Sequence, residues 1–265
     1  MFSIIVNMTP STMLQWPTFT ALTKPVKPSQ PNPFQWLTHM NRLKHDGYTI
    51  FKELLPTDIF DPLNRAFDEL KSANILPVGI ITHPLFWQIV HALDPIIEHI
   101  LNEPYAILPE TWAWDIDPNK SNKGWAPHRE KLFSCVTSDG MPKSMSCWFP
   151  ITPANPENSC MYVLPASDDP YYPVGKTKFD YPIQSIRALP ADPGDVIVFN
   201  HNILHWGSQS SQWGTTPRRA IAFESQINSI PPYNEPIIQP KSLPNITDCQ
   251  QLYNQIIQQY DHIDY

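Results

Sequence analysis

Glycine is scarce in this 265-residue chain, with 8 Gly against 31 Pro. Proline has no amide donor and is kept out of helix interiors and central strands, so long, rigid loops are expected between the elements. Cysteine is also sparse. Cys135, Cys147, Cys160 and Cys249 show no C-x-x-C spacing, which excludes a zinc ribbon and a thioredoxin-type pair. Free buried thiols in a reducing compartment are the expected state. No Lys/Arg-rich run is present and the formal net charge is −7, so neither nucleic acid nor an anionic membrane is expected as a partner. No apolar run approaches the ~20 residues of a membrane span. Residues 1–6 are apolar but lack the basic start of a signal peptide. The expectation is a soluble cytoplasmic protein.

What the chain does have is core-forming material. Hydrophobic residues make up 42%, with 9 Trp, 10 Tyr and 12 Phe, enough for one large domain. Residues 1–36 carry six prolines and no periodicity, and read as an extended arm packed on the domain by Phe2, Trp16 and Phe19. One domain over 37–265 follows. Helical spacing appears at 32–46, from 56 to 70 with Thr57 as N-cap, and over 84–102, where Pro95 forces a break. From about residue 105 the texture changes to short β-type runs at 107–116, 144–150, 161–164, 185–189, 195–199 and 219–225. A terminal helix is expected over 248–260. Helices first and strands afterwards give an α+β fold, for which a double-sheet jelly roll (cupin-like) with helices on one sheet is the natural closed form.

The chemistry is concentrated in Gly124-Trp125-Ala126-Pro127-His128-Arg129-Glu130. On a strand, residues i and i+2 share a face, so His128 and Glu130 can aim an imidazole and a carboxylate at one point. A second histidine from a distant strand, His205, would complete two His and one carboxylate, the facial set that binds Fe(II) with positions left open. An arginine shortly after it, Arg218 or Arg219, can hold a dicarboxylate by a bidentate pair. Together they point to an iron- and 2-oxoglutarate-dependent oxygenase. Trp112, Trp114, Trp125, Tyr162 and Trp213 are either core aromatics or a wall that stacks on a planar or cationic substrate. Arg129 and Arg187 are candidate anion partners for that substrate.

The order Asp46-Gly47-Tyr48, Gly124-Trp125-x-x-His128-x-Glu130, Trp148-Phe149-Pro150-Ile151-Thr152, Asn158 to Pro165, Gly194-Asp195, His205-Trp206-Gly207-Ser208 and Pro217-Arg218-Arg219-Ala220 resembles the phytanoyl-CoA dioxygenase family, over roughly residues 36–228. The resemblance implies a double-stranded β-helix, an Fe(II) site of His128, Glu130 and His205, and a 2-oxoglutarate site of Arg218, Trp148 and Ser208. It places the distal ligand at His205, before a Gly-Ser turn, over its rival His201. It implies hydroxylation of a small molecule with O2 as oxidant, or desaturation, cyclisation or epimerisation at the same site. The family usually carries Asp where this chain has Glu130. The carboxylate disfavours a halogenase, and its extra methylene weakens the analogy with the namesake substrate. The chain has no basic cluster for CoA phosphates, which favours a free specialised metabolite such as an alkaloid or amino-acid derivative. The reading from another class is a jelly-roll binding protein without catalysis.

Overall fold

The structure, a computed structural model, describes residues 15–20, 24–119, 124–174 and 181–260. Its helices begin where local chemistry satisfies their free amides. Helix α1 (Pro33–Asp46) opens with a capping box, in which Asn32 accepts from the Gln35 amide and the Gln35 side chain accepts from Asn32, and it ends on Gly47 at φ 79°. That left-handed conformation suits glycine. Helix α2 (Phe60–Ser72) is followed by α3 (Pro84–Ala92) and α4 (Asp94–Leu101), each of the last two with proline in its first turn. Pro95 therefore divides the 84–102 segment as expected. Thr57 does not cap α2: it lies inside a 3-10 turn, Thr57–Ile59, that precedes the helix and has no side-chain cap bond. The last helix, α5 (Ile246–Ile256), starts two residues before the expected 248 because Asn245 and Asp248 form a second capping box.

The strands are β1 (Tyr48–Phe51), β2 (Tyr105–Ile116), β3 (Ser144–Pro150), β4 (Met161–Leu164), β5 (Arg187–Leu189), β6 (Val196–Asn200), β7 (Leu204–Gly207) and β8 (Arg218–Ile227). They form a five-stranded antiparallel sheet ordered β1-β6-β3-β8-β2 and a three-stranded antiparallel sheet ordered β5-β4-β7. The β2–β8 register shifts between Ile107 and Thr111. Pro109 lies in that interval and cannot donate to the ladder, so the irregularity falls where the sequence requires it.

Period-two alternation sorts the large sheet's two faces into two cores. Cys147, Phe149, Val196, Val198, Ile221 and Phe223 pack against the helices. Trp148, Ile197, Phe199, Ala220 and Ala222 pack instead against Met161, Val163 and Leu189 of the small sheet. Every residue of β3 is consequently buried, which explains its near-continuous apolar run. Fold class is thus mixed helix and antiparallel sheet, with the helices on one face. In the arm, Trp16 packs edge-on to Tyr253 at 4.9 Å and Phe19 lies 4.5 Å from the His83 ring. Phe2 is outside the described residues.

Candidate metal centre

His128 is not on a regular strand. It makes a single antiparallel bridge with His205 of β7, each residue donating its amide to the other's carbonyl at 3.0 Å. The expectation of a His-x-Glu strand is corrected to this one bridge, because Pro127 precedes it and the chain turns away after Glu130. The bridge is sufficient to bring the imidazoles side by side, with ring centroids 4.3 Å apart. Close approach of the neighbouring loop depends on Gly124, where a Cβ would sit 2.2 Å from the Gly207 carbonyl oxygen. Without a side chain there, Trp125 donates its amide to that oxygen at 2.9 Å.

Both histidines present the same atom to the centre. Nδ1 of His128 donates to the Ala126 carbonyl at 2.9 Å, and Nδ1 of His205 to the Ile203 carbonyl at 3.2 Å. Each Nε2 is then left with a lone pair. Those atoms lie 3.6 Å and 3.2 Å from Oε1 of Glu130, and the three ligand atoms fall within 4.8 Å of one another. Burial raises the Glu130 carboxyl, but when the two rings are protonated their hydrogen bonds and charge outweigh it and hold the group well below the ordinary range. Burial and the neighbouring His128 lower the His205 ring. Three electron-pair donors converging on one point call for a cation, and two imidazoles with one carboxylate are the donor set a non-haem iron accepts.

Arg218 lines the same cavity, which has a volume of about 180 Å³. It lies on the inner face of β8, with Ala220 and Ala222 beyond it. The residue is 4% exposed, and burial pushes its guanidinium down to about 10. Nε has no partner among the described residues, and Nη2 reaches only the Ser159 hydroxyl at 3.5 Å. The Trp114 and Trp148 rings flank it at 5.5 Å and 6.0 Å. A buried cation without an anion is a strong attractor for a carboxylate. Arg219 points the other way, donating to Asp115 at 3.2 Å, Asp68 at 2.5 Å and the Asn64 carbonyl at 2.9 Å. Alternation along β8 separates the two arginines.

Of the other residues singled out in the sequence, Trp112, Trp114, Trp125 and Trp148 line the cavity. Arg129 is not available to a ligand there: it alternates away from His128 and Glu130 and is sealed against Asp169 at 2.6 Å, both side chains 1% exposed. Arg187 lies on the edge strand β5 and donates to the Gln184 and Ile186 carbonyls. Trp213 stands 72% exposed on a loop. Tyr162 stacks on Trp206 at 5.9 Å, and the Ser208 hydroxyl is turned to the Cys160 carbonyl at 3.5 Å. None of these five lines the cavity. Trp206, Phe199, Met161 and Ser146 do, and sequence reasoning passed over them. For Ser146, the signal was its i−2 relation to Trp148. His201, the rival to His205, is fully buried beside Glu224 at 3.5 Å, and burial pushes its ring down to about 3.

A sequence model of the phytanoyl-CoA dioxygenase (PhyH) family matches residues 74–220, more than half of the chain. The chain belongs to the phytanoyl-CoA dioxygenase family. It is therefore an enzyme of the iron- and 2-oxoglutarate-dependent oxygenase class. Solved structures agree on the fold at low identity. The 2-oxoglutarate-dependent epimerase SnoN of nogalamycin biosynthesis is 14% identical over 74% of this chain and 82% of its own, with a TM-score of 0.53. The carbocyclase SnoK of the same biosynthesis is 14% identical over 72% and 83%, with a TM-score of 0.56. HygX from Streptomyces hygroscopicus, solved with nickel and 2-oxoglutarate, is 12% identical over 72% and 87%, with a TM-score of 0.57. Among the described residues of this family member, no helix is long and apolar enough to cross a membrane.

Proposed function

We propose that His128, Glu130 and His205 hold Fe(II), that Arg218 holds the distal carboxylate of 2-oxoglutarate, and that the chain hydroxylates a small specialised metabolite. The observation that carries this reading is the pairing of two features in one cavity: three converging donor atoms, and a buried arginine with no anion among the described residues. The chemistry such a centre supplies, with iron, 2-oxoglutarate and dioxygen bound, is oxidation of an unactivated C–H bond with release of succinate and CO2.

The chain's own residues supply the rest. The Ala126 and Ile203 carbonyls fix the histidine tautomers so that both Nε2 atoms face inward. Trp114 and Trp148 confine the Arg218 fork, and Ala220 and Ala222 leave room beside it. Trp112, Trp125 and Trp206 give the substrate broad aromatic faces and keep water out. Beyond the three ligands and Arg218, no charged side chain among the described residues lines the cavity. With Arg129 and Arg187 held elsewhere, this supports a substrate recognised by ring faces, such as an alkaloid, over an amino-acid derivative gripped by its carboxylate. We read the two sheets as a jelly roll, residues 37–265 as one domain, and the described residues ahead of position 37 as part of an arm packed on it.

Epimerisation or ring closure at the same centre is the second reading, and it is favoured by the likeness to SnoN and SnoK. Incubating the iron-loaded protein, 2-oxoglutarate and oxygen with a metabolite panel, followed by mass spectrometry, separates the readings. Hydroxylation adds one oxygen atom to the product, ring closure or desaturation removes two hydrogens, and epimerisation leaves the mass unchanged. A binding protein without catalysis would release no succinate with any panel member.

A further inference from the structure

We infer that Asn202 is a positioning residue, which locks the segment bearing His128 and Glu130 in register with the strand bearing His205. The inference rests on the ligand assignment above and adds to it the means by which the ligands are held.

The segment between β2 and β3 contains no strand among its described residues. Its pairings are the isolated bridges His128–His205 and Val136–Pro142. A ladder therefore does not hold two of the three ligands in place. The stretch just beyond Glu130 is also at the surface, with Leu132 60% and Phe133 50% exposed, so packing there is one-sided. Some other contact must oppose fraying.

Asn202 supplies it. Its side chain is fully buried in the turn that leads into β7. Nδ2 donates to the Lys131 carbonyl at 3.2 Å and to the Phe133 carbonyl at 2.7 Å, and Oδ1 accepts from the Cys135 amide at 2.6 Å. One short amide thus spends both donors and its acceptor on the five residues that follow Glu130, a combination that Asp, Ser or Ala cannot supply. The turn's backbone adds to the hold. The His201 carbonyl accepts from the Lys131 amide at 3.1 Å, and the Asn202 carbonyl accepts from Arg129 Nη1 at 2.5 Å. Asn202 is itself set by the Asn200 side chain, which accepts its amide at 3.0 Å. Since Asn202 lies three residues before His205, the same turn carries one ligand and grips the segment that carries the other two.

Cobalt(II) titration of the metal-free protein, followed by visible absorption, tests this without turnover. Asn202→Ala is expected to weaken Co(II) binding by ~10-fold, the low end of what direct partners of metal ligands contribute, since its side chain grips the backbone beyond the ligands and not the ligands themselves. Leu70→Ala, in the core of α2 far from the centre, is expected to lower the Tm while leaving Co(II) affinity unchanged. The inference is overturned if folded Asn202→Ala binds Co(II) as tightly as wild type, or if Leu70→Ala weakens binding equally. Hydrogen exchange on the metal-free wild type supplies a test that needs no variant: the Lys131 and Cys135 amides should be protected like strand amides. Exchange at the rate of open-loop amides would overturn the clamp. Failure of wild type itself to bind Co(II) would instead sink the ligand assignment.

Discussion

Arg218 buries a guanidinium between two tryptophan rings, with no carboxylate among the described residues to meet it. An unpaired buried charge is costly, and a dicarboxylate that enters the cavity recovers the loss. Arg218→Met should therefore raise the KM for 2-oxoglutarate steeply, by on the order of 100-fold from a loss of about 3 kcal/mol, with Co(II) affinity of the metal-free protein unchanged. Arg219→Met should leave that KM alone but lower stability by about 1–3 kcal/mol, since it takes a donor from the largely buried Asp115 carboxylate and from the Asn64 carbonyl. Steady-state kinetics at varied 2-oxoglutarate decide both. The sequence leaves the two arginines as alternatives, and strand alternation is what parts them. Arg129 was less legible. It sits between His128 and Glu130 in the motif, and its partner Asp169 comes from a loop far along the chain, so its burial behind the site has no local signature.

Among the elements, α3 depends on a histidine. The His83 side chain accepts from the Leu85 amide at 3.0 Å as the N-cap of α3, and burial pushes its ring from 6.5 down to about 4. A depressed folded-state value means that the unfolded chain takes up the proton first. The contribution of neutral His83 is therefore complete above pH 6.5 and is lost as pH falls to about 4. His83→Asn keeps a cap acceptor and removes the titration, so it should flatten the fall of Tm with acid across that window. An unchanged Tm profile would contradict this. Helices and long strands were largely legible because periodicity and prolines mark them. The segment bearing His128 and Glu130 was not. A bridge of one residue pair leaves too little periodicity to read, and it is tertiary hydrogen bonding from Asn202 that orders it.

Over the whole molecule, one sheet serves two cores. Its outer face is packed on helices and gives stability, and its inner face is packed on the small sheet and gives the site. Trp16 and Phe19, ahead of the first helix, join the outer core, with Trp16 edge-on to Tyr253 of α5. Trp16→Ala should cost ~3 kcal/mol or somewhat less, since the ring is only partly buried, and should leave kcat unaffected. Chemical denaturation and initial rates check both halves of that statement. This division was legible in outline from helices preceding strands, and the tryptophan wall from aromatic content. Which tryptophans face the cavity was fixed only by register across β2, β3 and β8.

The central claim is that His128, Glu130 and His205 hold iron beside 2-oxoglutarate on Arg218. Anaerobic addition of Fe(II) and 2-oxoglutarate to the purified protein tests it most directly, through the visible charge-transfer absorption of the chelated metal. Wild type should develop the band, Glu130→Ala and His205→Ala should lack it, and Arg218→Met should need far more 2-oxoglutarate to reach it. A wild-type protein that stays colourless, or a His205→Ala variant with an undiminished band, would contradict the account.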